Sequence, residues 1–280
     1  MVTGEVREER SGMRPVVRET YGPENLSADP AYAGGFINFG YWHDIDLEQP
    51  LTQADRIRSE ENVYRQLLET VGPVQGARIL EVGCGLGMGC ALALREYAPT
   101  EVTGLDIHPE QLRRARETHA GLLQEEPGRL RFLQGAAEHM PVQDGAVDVL
   151  LTVEAVQHFP ELEPFAAEAF RVLRPGGRVA VATFLAADDA PERPAQLAKL
   201  LENYEDGLDH ARPAKALTDA LTAAGLTGAR AHSIGSRVWP GFDLWVSKAW
   251  APDSWPRNFL RAYKEGILDY YVITACRPGR

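Results

Sequence analysis

The sequence predicts an α/β fold, in which a doubly wound, mostly parallel sheet of seven strands is covered by helices on both faces. Two patterns predict it: short apolar runs alternate with stretches of helical period, and the first apolar run ends in a glycine-rich turn that opens a helix. The 280 residues, 44% of them hydrophobic, suffice for a substantial core. We expect one domain over residues 21–280, after a mobile, charged tail at residues 1–20.

The predicted strands are apolar runs bounded by turn residues. In chain order they cover residues 78–82, 101–106, 129–134, 147–153, 178–184, 228–234 and 269–276. Helices are predicted between and before them, at residues 54–71, 88–97, 109–122, 162–173 and 214–224. Pro109 suits the first turn of its helix, and Gly225 suits the position that ends the last one.

The turn after the first strand indicates the kind of ligand. Residues 81–87 read EVGCGLG, and a dinucleotide-binding turn would need a third glycine where Met88 or Cys90 stands. Glu81 lies just before the turn, where a carboxylate repels a pyrophosphate but can accept hydrogen bonds around a cationic amino-acid ligand. Asp106 ends the second strand about 20 residues further on, where a carboxylate can bind both hydroxyls of a ribose. The loop therefore suits an adenosine joined to a zwitterion.

At these residues the chain resembles the class I S-adenosylmethionine-dependent methyltransferases, of the small-molecule, natural-product type related to the tocopherol, sterol and sugar O-methyltransferases. Residues 81–87 match their first motif, residues 105–107 the second, and residues 170–179 the segment leading into the fifth strand. The resemblance covers residues 75–185 well and the flanks loosely. It implies a Rossmann-like methyltransferase fold with S-adenosylmethionine as cofactor.

The same resemblance divides the domain into three parts. It implies an amino-terminal helical lid at residues 21–74, a cofactor-binding core at residues 75–185, and substrate-side elements with the last strands at residues 186–280. Residues 38–42, NFGYW, are similar to an element that folds across the methionine end of the cofactor in relatives, where an upstream tyrosine reaches the carboxylate. Tyr21 and Asn38 are the matching candidates.

Further cofactor contacts follow from the resemblance residue by residue. Ile107 should cover an adenine face, and Gln111 should meet the ribose or the amino-acid portion. Ala136 stands where relatives have an aspartate, so backbone at Ala137 or the carboxylate of Glu138 is expected to take over the contact with the adenine amino group. The expected cofactor-binding residues are Tyr21, Asn38, Glu81, Gly83, Gly85, Asp106, Ile107, Gln111, Ala137, Glu138 and Val153.

His158 is the predicted catalytic residue, because it matches a histidine that many relatives place beside the cofactor methyl group. The sulfonium already activates that methyl, so alignment is the main task, and a base is needed only when the acceptor is a hydroxyl. Relatives with a histidine pair have their second histidine where Gln157 stands, and others have an aspartate where Thr183 stands. His158 therefore acts alone, acts with Glu154, or only forms a wall of the pocket.

Aromatic residues gather in an insert between the last two predicted strands, residues 239–263, which holds four of the five tryptophans. Such residues either close the edge of the core or line a substrate pocket. We expect substrate contacts from residues of this insert, the amino-terminal segment and the loop before His158, namely Tyr41, Trp42, Gln157, Trp239, Phe242 and Trp245.

Composition limits the partners. A formal charge of −11 without a basic cluster disfavours nucleic acid, and no apolar run approaches the roughly 20 residues that cross a membrane. The start of the chain lacks a secretory signal, which favours the cytoplasm. The three cysteines and seven histidines show no ligand spacing, so no metal site is predicted. The oligomeric state stays open.

These observations predict methyl transfer to a hydroxyl of a small, moderately apolar metabolite, as in specialised-metabolite biosynthesis. Transfer to carbon or nitrogen on the same scaffold is the alternative among methyltransferases. A cofactor-binding protein that does not methylate, a pericyclase or a regulatory protein, is the alternative outside them.

Overall fold

The computed structural model describes residues 12–23 and 25–279. Its centre is one seven-stranded sheet with the strand order β3-β2-β1-β4-β5-β7-β6. The strands are β1 (Arg78–Val82), β2 (Glu101–Asp106), β3 (Leu130–Gln134), β4 (Val147–Val153), β5 (Leu173–Ala186), β6 (Thr227–Ser233) and β7 (Leu268–Cys276). Neighbouring strands are parallel from β3 to β5, whereas β7 is antiparallel to both of its neighbours. The predicted fold class is confirmed.

Helices cover both faces of this sheet. They are α1 (Pro15–Tyr21), α2 (Gln53–Val71), α3 (Met88–Tyr97), α4 (Pro109–Thr118), α5 (Ala120–Glu125), α6 (Leu162–Val172), α7 (Arg193–Leu200), α8 (Glu202–Glu205), α9 (Ala214–Ala223), α10 (Trp239–Val246) and α11 (Trp255–Lys264). A capping box between Thr52 and Asp55 begins α2. Beyond the end of α9, Gly225 adopts a φ of 98°, as expected for a residue that ends a helix.

The core lies on both faces of the sheet, because consecutive side chains of a strand point to opposite sides. Ile79 joins one buried cluster, which includes Leu67 of α2. Its neighbour Leu80 joins a second cluster, which includes Phe165 of α6 and Leu217 of α9. A strand buried on both faces explains the continuous apolar run that marked β1 in the sequence.

Several elements differ from the prediction. The predicted helix at residues 109–122 is two helices, which meet at His119, whose ring lies 3.0 Å from the carbonyl oxygen of Leu86. The predicted tail also differs: its last residues form α1, while residues 1–11 lie outside the described part of the chain. The aromatic insert consists of α10 and α11. No helix in the described ranges is long and apolar enough to cross a membrane.

The sheet order determines where a ligand can bind. The chain runs outward from β1 to β3 on one side and from β4 to β5 on the other, so the order reverses between β1 and β4. Glu81 near the end of β1 pairs with Gly104 on one side and Leu151 on the other. Connections leave this point in opposite directions and open a crevice at the carboxyl ends of the strands.

Candidate active site

A cleft lies at this crevice, with an empty volume of about 1070 Å³ including its open mouth. The loops after β1, β2, β3 and β4 form its floor and sides. Helix α1 and residues 35–37 cover it. The cover of the cleft thus has two parts. Residues 35–37 belong to the predicted lid, whereas most of α1 belongs to the segment that was predicted to be a mobile tail.

The glycine turn gives the floor of the cleft its shape. Gly83 has a φ of 74°, and a Cβ there would lie 2.3 Å from the Cβ of Ala155. Gly85 has a φ of 51°, and a Cβ there would meet no atom within 4 Å, because it would point into open space. Both positions favour glycine by conformation. At Gly85 the missing side chain also leaves room for a ligand to approach the backbone.

Asp106 closes one end of the cleft from the last position of β2. Its Oδ2 accepts a hydrogen bond from Gly85 N at 2.9 Å, and its Oδ1 accepts one from His108 N at 2.8 Å. Burial raises the pKa of this carboxyl, and the two backbone donors oppose the increase. Each oxygen keeps a further lone pair for a ribose hydroxyl.

The remaining predicted adenosine contacts also line the cleft, namely Ile107, Gln111, Ala137, Glu138 and Val153. Gln111 Nε2 donates to Tyr21 O at 3.1 Å, while its Oε1 is buried without a partner among the described residues. An unpartnered buried acceptor is costly unless a ligand or water satisfies it. These acceptors therefore fit an adenosine, which brings both hydroxyl and amino donors.

Two predicted cofactor residues lie elsewhere. Glu81 is buried behind Tyr64, whose hydroxyl donates to Glu81 Oε1 at 2.9 Å, and burial raises the pKa of Glu81 to about 7. Tyr64 lines the cleft, so Glu81 supports a wall of the cleft. Asn38 is also buried, and its side chain binds the backbone of Glu60 and Gly40. Neither side chain lines the cleft, because local partners satisfy each of them.

His158 faces the cleft at the end of a short 3-10 helix, Val156–His158, that follows β4. Its Nε2 lies 2.9 Å from the hydroxyl of Tyr21, and its Nδ1 lies 2.6 Å from Asp209 Oδ1. Asp209 is 4% exposed and lies in the loop between α8 and α9. The contact lacks the alignment of an ordinary hydrogen bond, but a proton on Nδ1 relieves the repulsion between this nitrogen and the carboxylate oxygen and leaves Nε2 as the basic atom.

This carboxylate partner was missed by the sequence, which suggested Glu154 or no partner at all. Tyr21 also differs from its predicted role, since its hydroxyl contacts the imidazole of His158. Burial raises the pKa of Tyr21 well above its usual value, so it stays a neutral hydroxyl. Tyr21, His158 and Asp209 form a continuous chain of three polar groups at the wall of the cleft.

Glu154 is a second titratable group in the cleft wall. It has a φ of 47°, which is uncommon for a residue with a side chain. Its Oε1 accepts hydrogen bonds from Phe39 N and from the Tyr270 hydroxyl, both at 2.8 Å. Burial raises its pKa to about 8. The side chain therefore enters the cleft wall mainly as a neutral carboxyl at pH 7.

The rings predicted to form a substrate pocket wall lie away from the cleft. Trp239 is 0% exposed and stacks on Phe259 with ring centroids 5.3 Å apart, and Phe242 meets Phe39 edge-on at 4.6 Å. These rings fill the space between α10, α11 and the sheet, because burying large apolar surface stabilises the fold. Trp245 lies outside the cleft, and its Nε1 donates to Pro30 O at 3.1 Å.

The other three predicted substrate residues do not line the cleft either. Trp42 packs with Ile45 and Leu51 in a small cluster, and Tyr41 lies against His43. Gln157 is buried beside His158, where its Oε1 accepts a hydrogen bond from Thr183 Oγ1 at 2.8 Å. The amino-terminal segment instead presents Gly35, Phe36 and Ile37, with Met13, Arg14 and Val17 of the α1 region beside them.

Comparisons with known proteins agree with this geometry. A family model described as a methyltransferase domain matches residues 80–181. The phthiotriol/phenolphthiotriol dimycocerosates methyltransferase of Mycobacterium leprae (strain TN) is 37% identical over 148 residues, 52% of each chain. The fatty-acid O-methyltransferase of Mycolicibacterium smegmatis is 35% identical over 144 residues, 51% of this chain and 50% of that protein. The chain matches these curated relatives over about half of their length.

Solved structures match over more of the chain. Geranyl diphosphate C-methyltransferase from Streptomyces coelicolor A3(2), solved with Mg²⁺, geranyl diphosphate and S-adenosyl-L-homocysteine, gives a TM-score of 0.77 at 17% identity, over 94% of this chain and 97% of that one. The [4+2]-cyclase SpnF gives 0.67 at 20% identity, over 88% and 89%. At such identities the likeness shows the shared fold.

The motifs, the sheet order and the family match lead to one class. Residues 80–181 match a methyltransferase domain, and the sheet order and the cleft are those of the class I methyltransferase fold, whose cofactor is S-adenosylmethionine. The ranges 12–23 and 25–279 contain no group of three or more histidine, cysteine, aspartate or glutamate side chains placed to hold a metal.

Proposed function

We propose that this chain transfers the methyl group of S-adenosylmethionine to a hydroxyl of a small, moderately apolar metabolite, as a step in specialised-metabolite biosynthesis. The observation that carries the proposal is the position of His158 in the cleft wall, with Nδ1 2.6 Å from Asp209 and the basic Nε2 at the Tyr21 hydroxyl. This arrangement suits removal of a proton from an oxygen acceptor.

The cofactor supplies a methyl carbon that its sulfonium already activates for displacement. The chain has to align the acceptor with that carbon and to accept the acceptor's proton. Asp209 fixes the tautomer of His158 and stabilises the imidazolium that forms. Tyr21 and His158 both line the cleft, so an acceptor hydroxyl that donates to the Tyr21 oxygen can lose its proton as Tyr21 passes its own to His158 Nε2.

The character of the acceptor follows from the cleft wall. Apolar side chains form much of the part nearest α1 and His158, namely Met13, Val17, Phe36, Ile37, Met88 and Phe159. Such a wall favours an acceptor with apolar surface next to its hydroxyl. The two curated relatives are named for lipid acceptors, which supports the same direction.

Label transfer tests this function. The protein is incubated with methyl-labelled S-adenosylmethionine and a panel of alcohols and phenols on apolar scaffolds, beside matched amines and prenyl compounds. We expect the label on oxygen, read as an O-methyl signal in the product NMR spectrum. Label on nitrogen or carbon alone would contradict the hydroxyl assignment.

Glu154 favours a second candidate, methyl transfer to carbon. A buried carboxyl with a pKa near 8 in the cleft wall can, once ionised, take the proton that a methylated carbon must lose. The third possibility is a protein that binds the cofactor without using it. A cyclase would give a product with the same mass as its substrate, and a regulatory protein would give no product. Product mass and the carbon–methyl or oxygen–methyl signal distinguish all three.

A further inference from the structure

Arg14 connects the amino-terminal helix to the loop that carries Asp209. It lies at the position before α1, and its guanidinium donates from Nη1 to Gly207 O at 2.7 Å and from Nη2 to Leu208 O at 2.5 Å. These are the two carbonyls immediately before Asp209. One side chain from the start of the domain therefore fixes the backbone that aims the carboxylate at His158.

The loop has other bonds too: His210 N donates to Gln157 O at 3.0 Å, Asn203 Nδ2 donates to Asp209 Oδ2, and the rest are local. Leu208 N donates to Asp206 Oδ1 at 2.8 Å, and Asp209 N donates to Asn203 O at 2.7 Å. Gly207 has a φ of 77°, in the region where glycine is the least restricted residue. The contact with Arg14 spans 193 positions of sequence, so it ties the loop to a distant element that the local bonds do not reach.

Charge supports the same role. Asp209 is buried, and a buried carboxylate needs nearby positive charge or hydrogen-bond donors to offset its lost hydration. Burial lowers the pKa of Arg14, and Asp209 is the carboxylate that opposes this effect most. The guanidinium thus lies close enough to Asp209 for the two charges to attract each other.

Helix α1 contacts His158 directly, at the opposite end of the helix from Arg14. Tyr21 at its last position meets His158 Nε2, and Arg114 of α4 donates to the carbonyls of Tyr21 and Gly22 at 3.0 and 2.7 Å. We propose that Arg14 is a positioning residue that holds Asp209 against His158. The inference rests on the proposed function, since it assigns a task to the pair that removes the acceptor's proton.

NMR of the imidazole tests the positioning without requiring turnover. The full chain is labelled with ¹⁵N-histidine and saturated with S-adenosylhomocysteine, and the Nδ1–H signal of His158 is assigned with His158→Gln. We expect the signal in the native protein and in Glu19→Gln, an exposed change on the same helix. In Arg14→Gln it should be lost by exchange or shift strongly. An unchanged signal in a folded Arg14→Gln protein overturns the proposal.

Kinetics supply the second arm. Misplacing a catalytic group typically costs about ten- to hundredfold, so Arg14→Gln should lower kcat by that factor while cofactor affinity stays near native. In an Asp209→Asn background the same change should have no further effect, because residues that act through one another are non-additive. A full additional loss there assigns Arg14 a merely structural role and overturns the proposal. Arg14→Lys, which keeps the charge, replaces Arg14→Gln should the latter not fold.

The NMR and kinetic experiments give different results if the positioning role of Arg14 fails and if the proposed function fails. Failure to methylate any hydroxyl acceptor would contradict the proposed function and leave the NMR comparison valid. An unchanged Nδ1–H signal in Arg14→Gln, with oxygen methylation intact, would contradict the positioning role alone.

Discussion

Asp106→Ala should weaken binding of S-adenosylmethionine, and the structure indicates how much. The native carboxylate accepts hydrogen bonds from Gly85 N and His108 N, and both residues line the cleft. The alanine removes the expected ribose acceptor and leaves two backbone donors unpaired. Losing the partner of a buried polar group costs about 1–3 kcal/mol, which corresponds to a dissociation constant about 5- to 150-fold higher.

Asp106→Asn should be no milder than the alanine variant, although it is the usual conservative change. Both carboxylate oxygens face backbone N–H groups, so one of the two donors would meet the amide nitrogen of asparagine instead of an acceptor. If only one carboxylate oxygen of Asp106 made contacts, Asp106→Asn would weaken cofactor binding much less. Comparison of the two variants therefore tests the observed bidentate arrangement.

Isothermal titration calorimetry with S-adenosylmethionine and S-adenosylhomocysteine measures both variants. Asp189→Ala is the matched control, because that aspartate is exposed in the loop after β5 and does not line the cleft. Circular dichroism confirms that each variant is folded. An unchanged dissociation constant for folded Asp106→Ala would refute the assignment of Asp106 to the ribose.

Three further predictions concern the buried groups and the lid. Glu154 has a folded pKa of about 8 against 4.5 when exposed, so between these values the folded chain keeps a proton that the unfolded chain releases, and stability falls as pH rises. Urea unfolding at about pH 5 and about pH 8 should show this fall in the native protein and a smaller one in Glu154→Gln. Trp239→Ala should lower the free energy of unfolding by about 3–5 kcal/mol while cofactor affinity stays near native. Weaker cofactor binding with unchanged stability would instead indicate that Trp239 contacts the ligand. Hydrogen exchange of α1 should slow when S-adenosylhomocysteine binds, because α1 covers the cleft, and equal protection in both states would argue for a rigid cover.

The part of the cleft formed by strand ends was predictable from the sequence, because its residues come at or just after those ends. Gly83, Gly85, Asp106 and Val153 lie at or just after β1, β2 and β4, and parallel strands bring their carboxyl ends to one edge. A short motif therefore fixes both the identity and the position of these side chains. Spacing along the chain becomes proximity in space by the geometry of the sheet alone.

The surroundings of His158 were harder to predict, for a physical reason. Asp209 comes from a loop between two helices, and Arg14 comes from the start of the chain, so no spacing relates either residue to His158. Hydrophobicity likewise does not tell whether a ring faces a cleft or a core. Trp239 was predicted to line the pocket because aromatic residues gather in the insert at residues 239–263. In the structure it stacks on Phe259 and is completely buried.

His158→Ala shows whether His158 removes the proton of a hydroxyl acceptor. With an acceptor from the label-transfer panel, kcat should fall by about 10²–10⁴-fold, the usual contribution of a positioned base. The dissociation constant of S-adenosylmethionine should stay nearly unchanged. Near-native kcat at saturating acceptor would contradict this role of His158, and a loss of cofactor affinity in proportion to kcat would make His158 a wall of the cofactor site instead.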